Sequence, residues 1–123
     1  MWRNLISAGL AGLLVIMAAR LGIAERLGAH PFWAVKTGYI GALAGVVAGL
    51  ALSWVPAGRA LIVGALVAGI GLLAAKLGAA RFAASYAEDA IAGRFWFFGW
   101  IVAAAGATLI VHSAVRAGLG VLR

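Results

Sequence analysis

The chain has 123 residues, 66% of them apolar and 11% charged, with 18 glycines, 5 tryptophans and no cysteine. A soluble domain is about 45–50% apolar and about 25% charged, so a mean hydropathy of +1.11 excludes both a water-soluble globule and a disordered segment. The net charge of +7 does not point to nucleic acid, because the 10 basic residues stand singly at the ends of apolar runs, and the missing cysteine excludes disulfides and thiolate metal sites.

A helix crosses the hydrocarbon core with about 20 mostly apolar residues. The first such run is Leu5 to Ala24, in which Arg20 can snorkel to the interface. A cleaved leader is the alternative, since Arg3 precedes an apolar core; the run exceeds the roughly 7–15 residues of a leader core, so retention is expected. The second run, Thr37 to Val55, follows a polar break with Glu25, Arg26, His30, Pro31 and Lys36, and Pro56, Gly58 and Arg59 end it. The third spans Ala60 to Ala75, and Lys76 closes it. A weakly amphipathic connection, residues 76–94, leads to the fourth run, Phe95 to His112. Strand patterning is absent, and an open sheet cannot satisfy its backbone in lipid. The predicted fold is all-α, a polytopic integral membrane protein with four transmembrane helices in one membrane domain.

Basic residues set the orientation. One side would carry Arg3, Arg59, Arg116 and Arg123, and the other Arg20, Arg26, Lys36, Lys76, Arg81 and Arg94. The second side is therefore expected to be cytoplasmic, with connections 25–36 and 76–94 there and both termini outside the cell membrane. Trp2, Trp33, Trp54, Trp96 and Trp100 lie near segment ends and are expected to be interfacial anchors.

Small residues recur at four-residue steps: Gly41, Gly45 and Gly49 with Ala44 and Ala48, then Ala60, Gly64 and Ala68, then Gly99, Ala103 and Ala107. In lipid such faces let backbones approach closely. They serve either packing within the bundle or a seam for another protein. No Asp or Glu falls in any span; Glu25, Glu88 and Asp89 all lie in connections. Transporters and exporters place ionisable groups within their spans, so neither is expected. The pair Glu88–Asp89 is expected to be solvated or to face Arg81 and Arg94. No catalytic constellation, metal or cofactor site is expected. Haem would need His30 and His112 at matching depth, but the topology puts them on opposite sides. His112, with Thr108 and Ser113, reads as a hydrogen-bonded polar helix end. The remaining polar groups, Asn4, Ser7, Thr37 and Ser53, also lie towards span ends.

From Lys36 onward the order of features is distinctive. A basic entry leads to the Gly-rich span GYIGALAGVVAGLALSW, and a tight Gly58–Arg59 turn opens a second span. A polar connection with Glu88, Asp89 and Arg94 precedes an aromatic-led span, RFWFFGWIVAAAGATLIVHS. Residues 36–113 thereby resemble the small three-helix subunit (subunit six) of the endoplasmic reticulum membrane protein complex and its archaeal relatives. The resemblance implies a noncatalytic partner of a YidC/Oxa-type insertase that helps to form a vestibule for a client's transmembrane segment. It also implies a cytosolic connection between the last two spans. Residues 1–24 depart from it by adding a helix.

On that resemblance, Gly41, Gly45, Gly49, Gly64, Ala68, Gly99 and Ala103 would supply packing or partner seams. Lys76, Arg81 and Arg94 would form a cytosolic basic rim. The expected partners are membrane lipid and another integral membrane protein or copies of this chain, with no nucleic acid and no small-molecule substrate. A structural subunit of another membrane complex, a self-assembling pilin-like protein and a small channel or carrier are the alternatives.

Overall fold

The computed structural model describes residues 2–121. Five helices follow one another: α1 (Trp2–Arg20), α2 (Ile23–Arg26), α3 (Ala34–Ala51), α4 (Ala57–Ala84) and α5 (Ala90–Val121). Four of them, α1, α3, α4 and α5, are long and apolar enough to cross a membrane. The protein is an all-α polytopic membrane protein. Arg123, placed on the outer side by the charge pattern, lies outside the described residues.

Helix boundaries differ from the hydropathy runs for local reasons. The first helix begins at Trp2 and stops at Arg20, because Gly22 adopts φ 81°, a left-handed conformation that glycine takes at no steric cost. Ile23 and Ala24 belong to the short α2 instead. Pro56 supplies the N-cap of α4, and its carbonyl accepts the Ala60 N–H at 3.0 Å.

The largest correction concerns residues 76–94, expected to be a long connection. Lys76 does not close α4, which continues as far as Ala84, and α5 already begins at Ala90. Lysine and alanine are good helix formers, and a lysine can leave the hydrocarbon along its own stem. The true turn is Ser85–Asp89. There Tyr86 and Ala87 take positive φ values of 56° and 65°. Ser85 Oγ accepts the Asp89 N–H at 2.9 Å, and Asp89 Oδ1 accepts the Ala92 N–H at 3.0 Å as the cap of α5. Asp89 is thus a helix cap rather than a partner of Arg81 or Arg94.

α5 is the hub of the bundle: it packs on α4, α3 and α1, whereas α4 packs substantially on α5 alone. α4 and α5 run antiparallel. A Cβ at Gly64 would meet Leu109 and Ile110, one at Gly71 would meet Ala103, and one at Gly78 would meet Trp96 and Ala92. From the other side, Gly99 abuts Ala75 and Gly106 abuts Ala68. The seam on α4 is therefore residues 64, 68, 71, 75 and 78, in steps of four and three. This 3.5-residue repeat keeps one face on its partner along the whole contact. α3 runs parallel to α5, with Gly41 on Ile101 and Ala104, Gly45 on Ala105 and Thr108, and Gly49 on His112. α1 completes the bundle, with Gly12 against Val46 and Ala19 against Gly38.

Large side chains are mostly turned outward. Leu13, Leu43, Leu66, Ile70 and Leu73 are all exposed, whereas the buried apolar residues are mainly alanines. That inversion suits a chain solvated by lipid. The hydrocarbon receives the leucines, and close backbone approach holds the helices.

Candidate functional site

The end of the bundle near His112 holds most of the buried polar groups of the described residues, Thr37 at the start of α3 being the exception. Ser7, Thr108, His112 and Ser113 are each no more than 1% exposed. Ser7 Oγ lies 2.6 Å from His112 Nδ1 and 3.0 Å from the His112 carbonyl, and its one proton is shared between them. His112 Nε2 lies 3.2 Å from the Gly49 carbonyl, which also accepts Ser53 Oγ at 3.1 Å. The imidazole with its proton on Nε2 satisfies both contacts, donating to Gly49 and accepting from Ser7. Gly49 makes this possible, since a Cβ there would stand 2.7 Å from the ring. One turn onward, Arg116 Nη2 donates to the carbonyls of Ser53 at 2.9 Å and Val55 at 2.7 Å. A cation is thereby placed on the carbonyl end of α3. Ser113 Oγ and Arg116 Nη1 are buried without a hydrogen-bond partner.

A serine beside an imidazole is also the chemistry of nucleophilic catalysis. Here Ser7 is wholly buried and its proton is shared with a backbone carbonyl, so no open side remains from which an acyl group is attacked. The cluster joins α1, α3 and α5.

The opposite end is an aromatic knot. His30 stacks on Phe32 at 5.2 Å and on Trp33 at 5.7 Å, and meets the edge of Trp96 at 5.4 Å. Trp33 meets Trp96 and Phe97 nearly perpendicularly, both at 5.2 Å. Trp96 Nε1 donates to the Gly28 carbonyl at 2.9 Å, and Lys76 Nζ donates to the Leu27 carbonyl. The connection between α2 and α3 is thus tied to both α4 and α5. His30 and His112 lie at opposite ends, as their sequence positions led us to expect. Among the described residues no group of three or more His, Cys, Asp and Glu could hold a metal ion.

The predicted seam residues are brought together, but with one another. Gly41, Gly45 and Gly49 face α5, Gly64 and Ala68 face α5, and Gly99 and Ala103 face α4. None of the seven is left as an open seam; every added Cβ at these glycines meets this chain's own atoms. Ala107 leaves the Gly99 face because the repeat there is 99, 103 and 106, and it borders a lateral cleft instead. Gly71, Ala75, Gly78 and Gly106 belong to the α4–α5 seam and were missed. Their signal was the alternation of fours and threes, which a search at fixed four-residue steps passes over.

The three predicted rim cations do not share one mouth. Lys76 and Arg81 are five residues apart, about 140° around an α-helix. Lys76 reaches the α2–α3 connection, whereas Arg81 lines a groove on the other flank of α4. Arg94 is exposed on α5. Of the expected anchors, Trp2 and Trp54 are exposed and Trp33 and Trp96 are half-buried in the knot. Trp100 is only 6% exposed and packs with Ala29, Ala34, Ala75 and Ala103. It is a core residue, because the alanines around it leave space that only a large ring fills.

Apolar grooves open on the flanks of the bundle, and two of them border α4. A cleft of about 210 Å³ lies between α1–α2 and α4, bordered by Ala19, Leu27, Ala68 and Leu72 and by Ala103 and Ala107 of α5. It exists because α4 leans on α5 without closing onto α1. A second groove, of about 390 Å³, lies where α4 and α5 approach the Ser85–Asp89 turn.

No family model, curated protein or solved structure matches the chain.

Proposed function

We propose that this chain is a noncatalytic membrane subunit that docks beside a second integral membrane protein, an insertase of the YidC/Oxa type, and assists membrane-protein insertion. The observation that carries the reading is the open flank of α4. This 28-residue helix packs substantially on one neighbour only, and a Cβ at its Gly69 would meet nothing within 4 Å. Ala65 and Gly69, one turn apart and both exposed, form a small step beside the lateral cleft. The predicted seams are consumed inside the bundle, and on α4 this step is where a foreign helix can approach closely. The partner class comes from the resemblance of residues 36–113 to the small insertase-complex subunit.

The positive-inside rule puts the Trp96 end in the cytoplasm, with Arg20, Arg26, Lys36, Lys76, Arg81 and Arg94 towards it. These cations repel a client's basic flank and hold it on that side. In this reading the cleft receives the apolar part of the client helix, and a locally thinned or hydrated groove at the insertase lowers the cost of passing polar client residues, which is about 2.5–3.5 kcal/mol for a charge at the helix centre.

The test is purification of the tagged full chain in mild detergent, with and without Ala65→Leu and Gly69→Leu together. The expected result is an insertase that accompanies the wild type and is lost from the double variant. Gly9→Leu, at another open glycine, should keep it. An insertase missing from the wild type, or retained by the double variant, overturns the reading.

A further inference from the structure

The groove where α4 and α5 approach their turn pairs an apolar floor with two opposite charges. Ile70, Leu73, Leu77, Ile91 and Phe95 line it, each 55–66% exposed, and Arg81 and Asp89 stand at the same groove. Its volume of about 390 Å³ falls within the roughly 300–1,000 Å³ of small-molecule sites. Gly78 explains its depth. A Cβ there would lie 2.6 Å from the Ala92 carbonyl, so the two backbones meet closely and the large side chains splay on either side.

The charges sit at headgroup depth. α4 has 28 residues, about 42 Å at 1.5 Å per residue, against roughly 30 Å of hydrocarbon and 40–45 Å with headgroups. Counting about 20 residues from Ala57 brings the hydrocarbon boundary to Lys76. Arg81 lies about 7 Å beyond it, within the headgroup layer. Asp89 spends Oδ1 on the Ala92 N–H, and no ion pair joins it to Arg81 among the described residues. A guanidinium and a carboxylate in one groove, each with capacity left over, match a ligand carrying both a phosphate and an ammonium.

We propose that this groove binds one zwitterionic phospholipid of the ethanolamine type. An acyl chain lies along Leu73, Leu77 and Phe95, the phosphate meets Arg81, and the ammonium meets the free oxygen of Asp89. An anionic lipid gains the first contact but faces repulsion at the second.

Native mass spectrometry of the full chain tests this, in micelles holding equal amounts of phosphatidylethanolamine and phosphatidylglycerol. The wild type should retain one ethanolamine lipid with a preference of about fivefold, the upper scale of a single exposed ion pair. Arg81→Gln should lower retention of both lipids. Asp89→Asn, which keeps the capping oxygen, should abolish or invert the preference. Arg94→Gln, which removes a cation outside the groove, should leave it unchanged. Equal retention of both lipids by the wild type, an unaltered preference in Asp89→Asn, or an equal loss in Arg94→Gln would overturn the proposal. Circular dichroism of each variant separates these outcomes from loss of fold.

Discussion

Ser7 Oγ lies 2.6 Å from His112 Nδ1, a hydrogen bond that joins α1 to α5 across 105 residues of sequence. Ser7→Ala leaves the ring nitrogen buried without a donor, at a cost of about 1–2 kcal/mol. A double-mutant cycle with His112→Phe should give a coupling between about 0.6 kcal/mol, the average between membrane helices, and about 1.7 kcal/mol, the largest found. Reversible unfolding in mixed micelles measures it, and additive single effects would show that the bond contributes nothing.

The glycines of the α4–α5 seam are predicted to reject any side chain. A Cβ at Gly71 would stand 2.8 Å from the Gly99 carbonyl, and one at Gly99 would stand 2.8 Å from the Gly71 carbonyl. Neither oxygen can rotate away, so even Gly71→Ala should cost about 1–3 kcal/mol through overpacking. Gly69→Ala, in open space on the same helix, should be neutral or mildly stabilising. Thermal unfolding in detergent ranks the two; equal melting temperatures would refute the seam.

Arg116 closes the carbonyl end of α3, and Arg116→Gln should loosen Ser53–Val55. Amide exchange in that turn is expected to rise about tenfold, equivalent to about 1.4 kcal/mol of local opening. Exchange in the aromatic knot at the far end should not change.

Sidedness can be read with single thiols, because the chain has no cysteine of its own. Phe32→Cys and Tyr86→Cys, at positions 93% and 92% exposed, should react together with an impermeant maleimide added from the cytoplasmic side. Trp54→Cys, 83% exposed at the opposite end, should react only from outside. Labelling of all three from one face would overturn the four-span topology.

The number and order of spans were legible in the sequence because 20 apolar residues have few destinations other than lipid. Helix ends were less so. Lys76 reads as a terminus by charge, yet its stem and the alanines after it favour another two turns. Glycine periodicity correctly marked Gly41, Gly45 and Gly49 as a packing face, but not which helix would fill it. Trp100 looked interfacial by position and is buried, since most of its surroundings, Ala29, Ala34 and Ala75, are distant in sequence. The pairing of Ser7 with His112 left no local trace; only the packing of α1 on α5 brings them together.

The hub position of α5 has a consequence for biogenesis. A nascent chain that has inserted only its earlier helices holds α4 with almost nothing to lean on, and a Ser7 hydroxyl still lacking its imidazole. Arrival of the final helix supplies the mate for α4, the wall for α3 and the acceptor for Ser7 in one event. A product arrested at residue 89 would keep α1 on α3 but leave α4 unmated and open to membrane quality control.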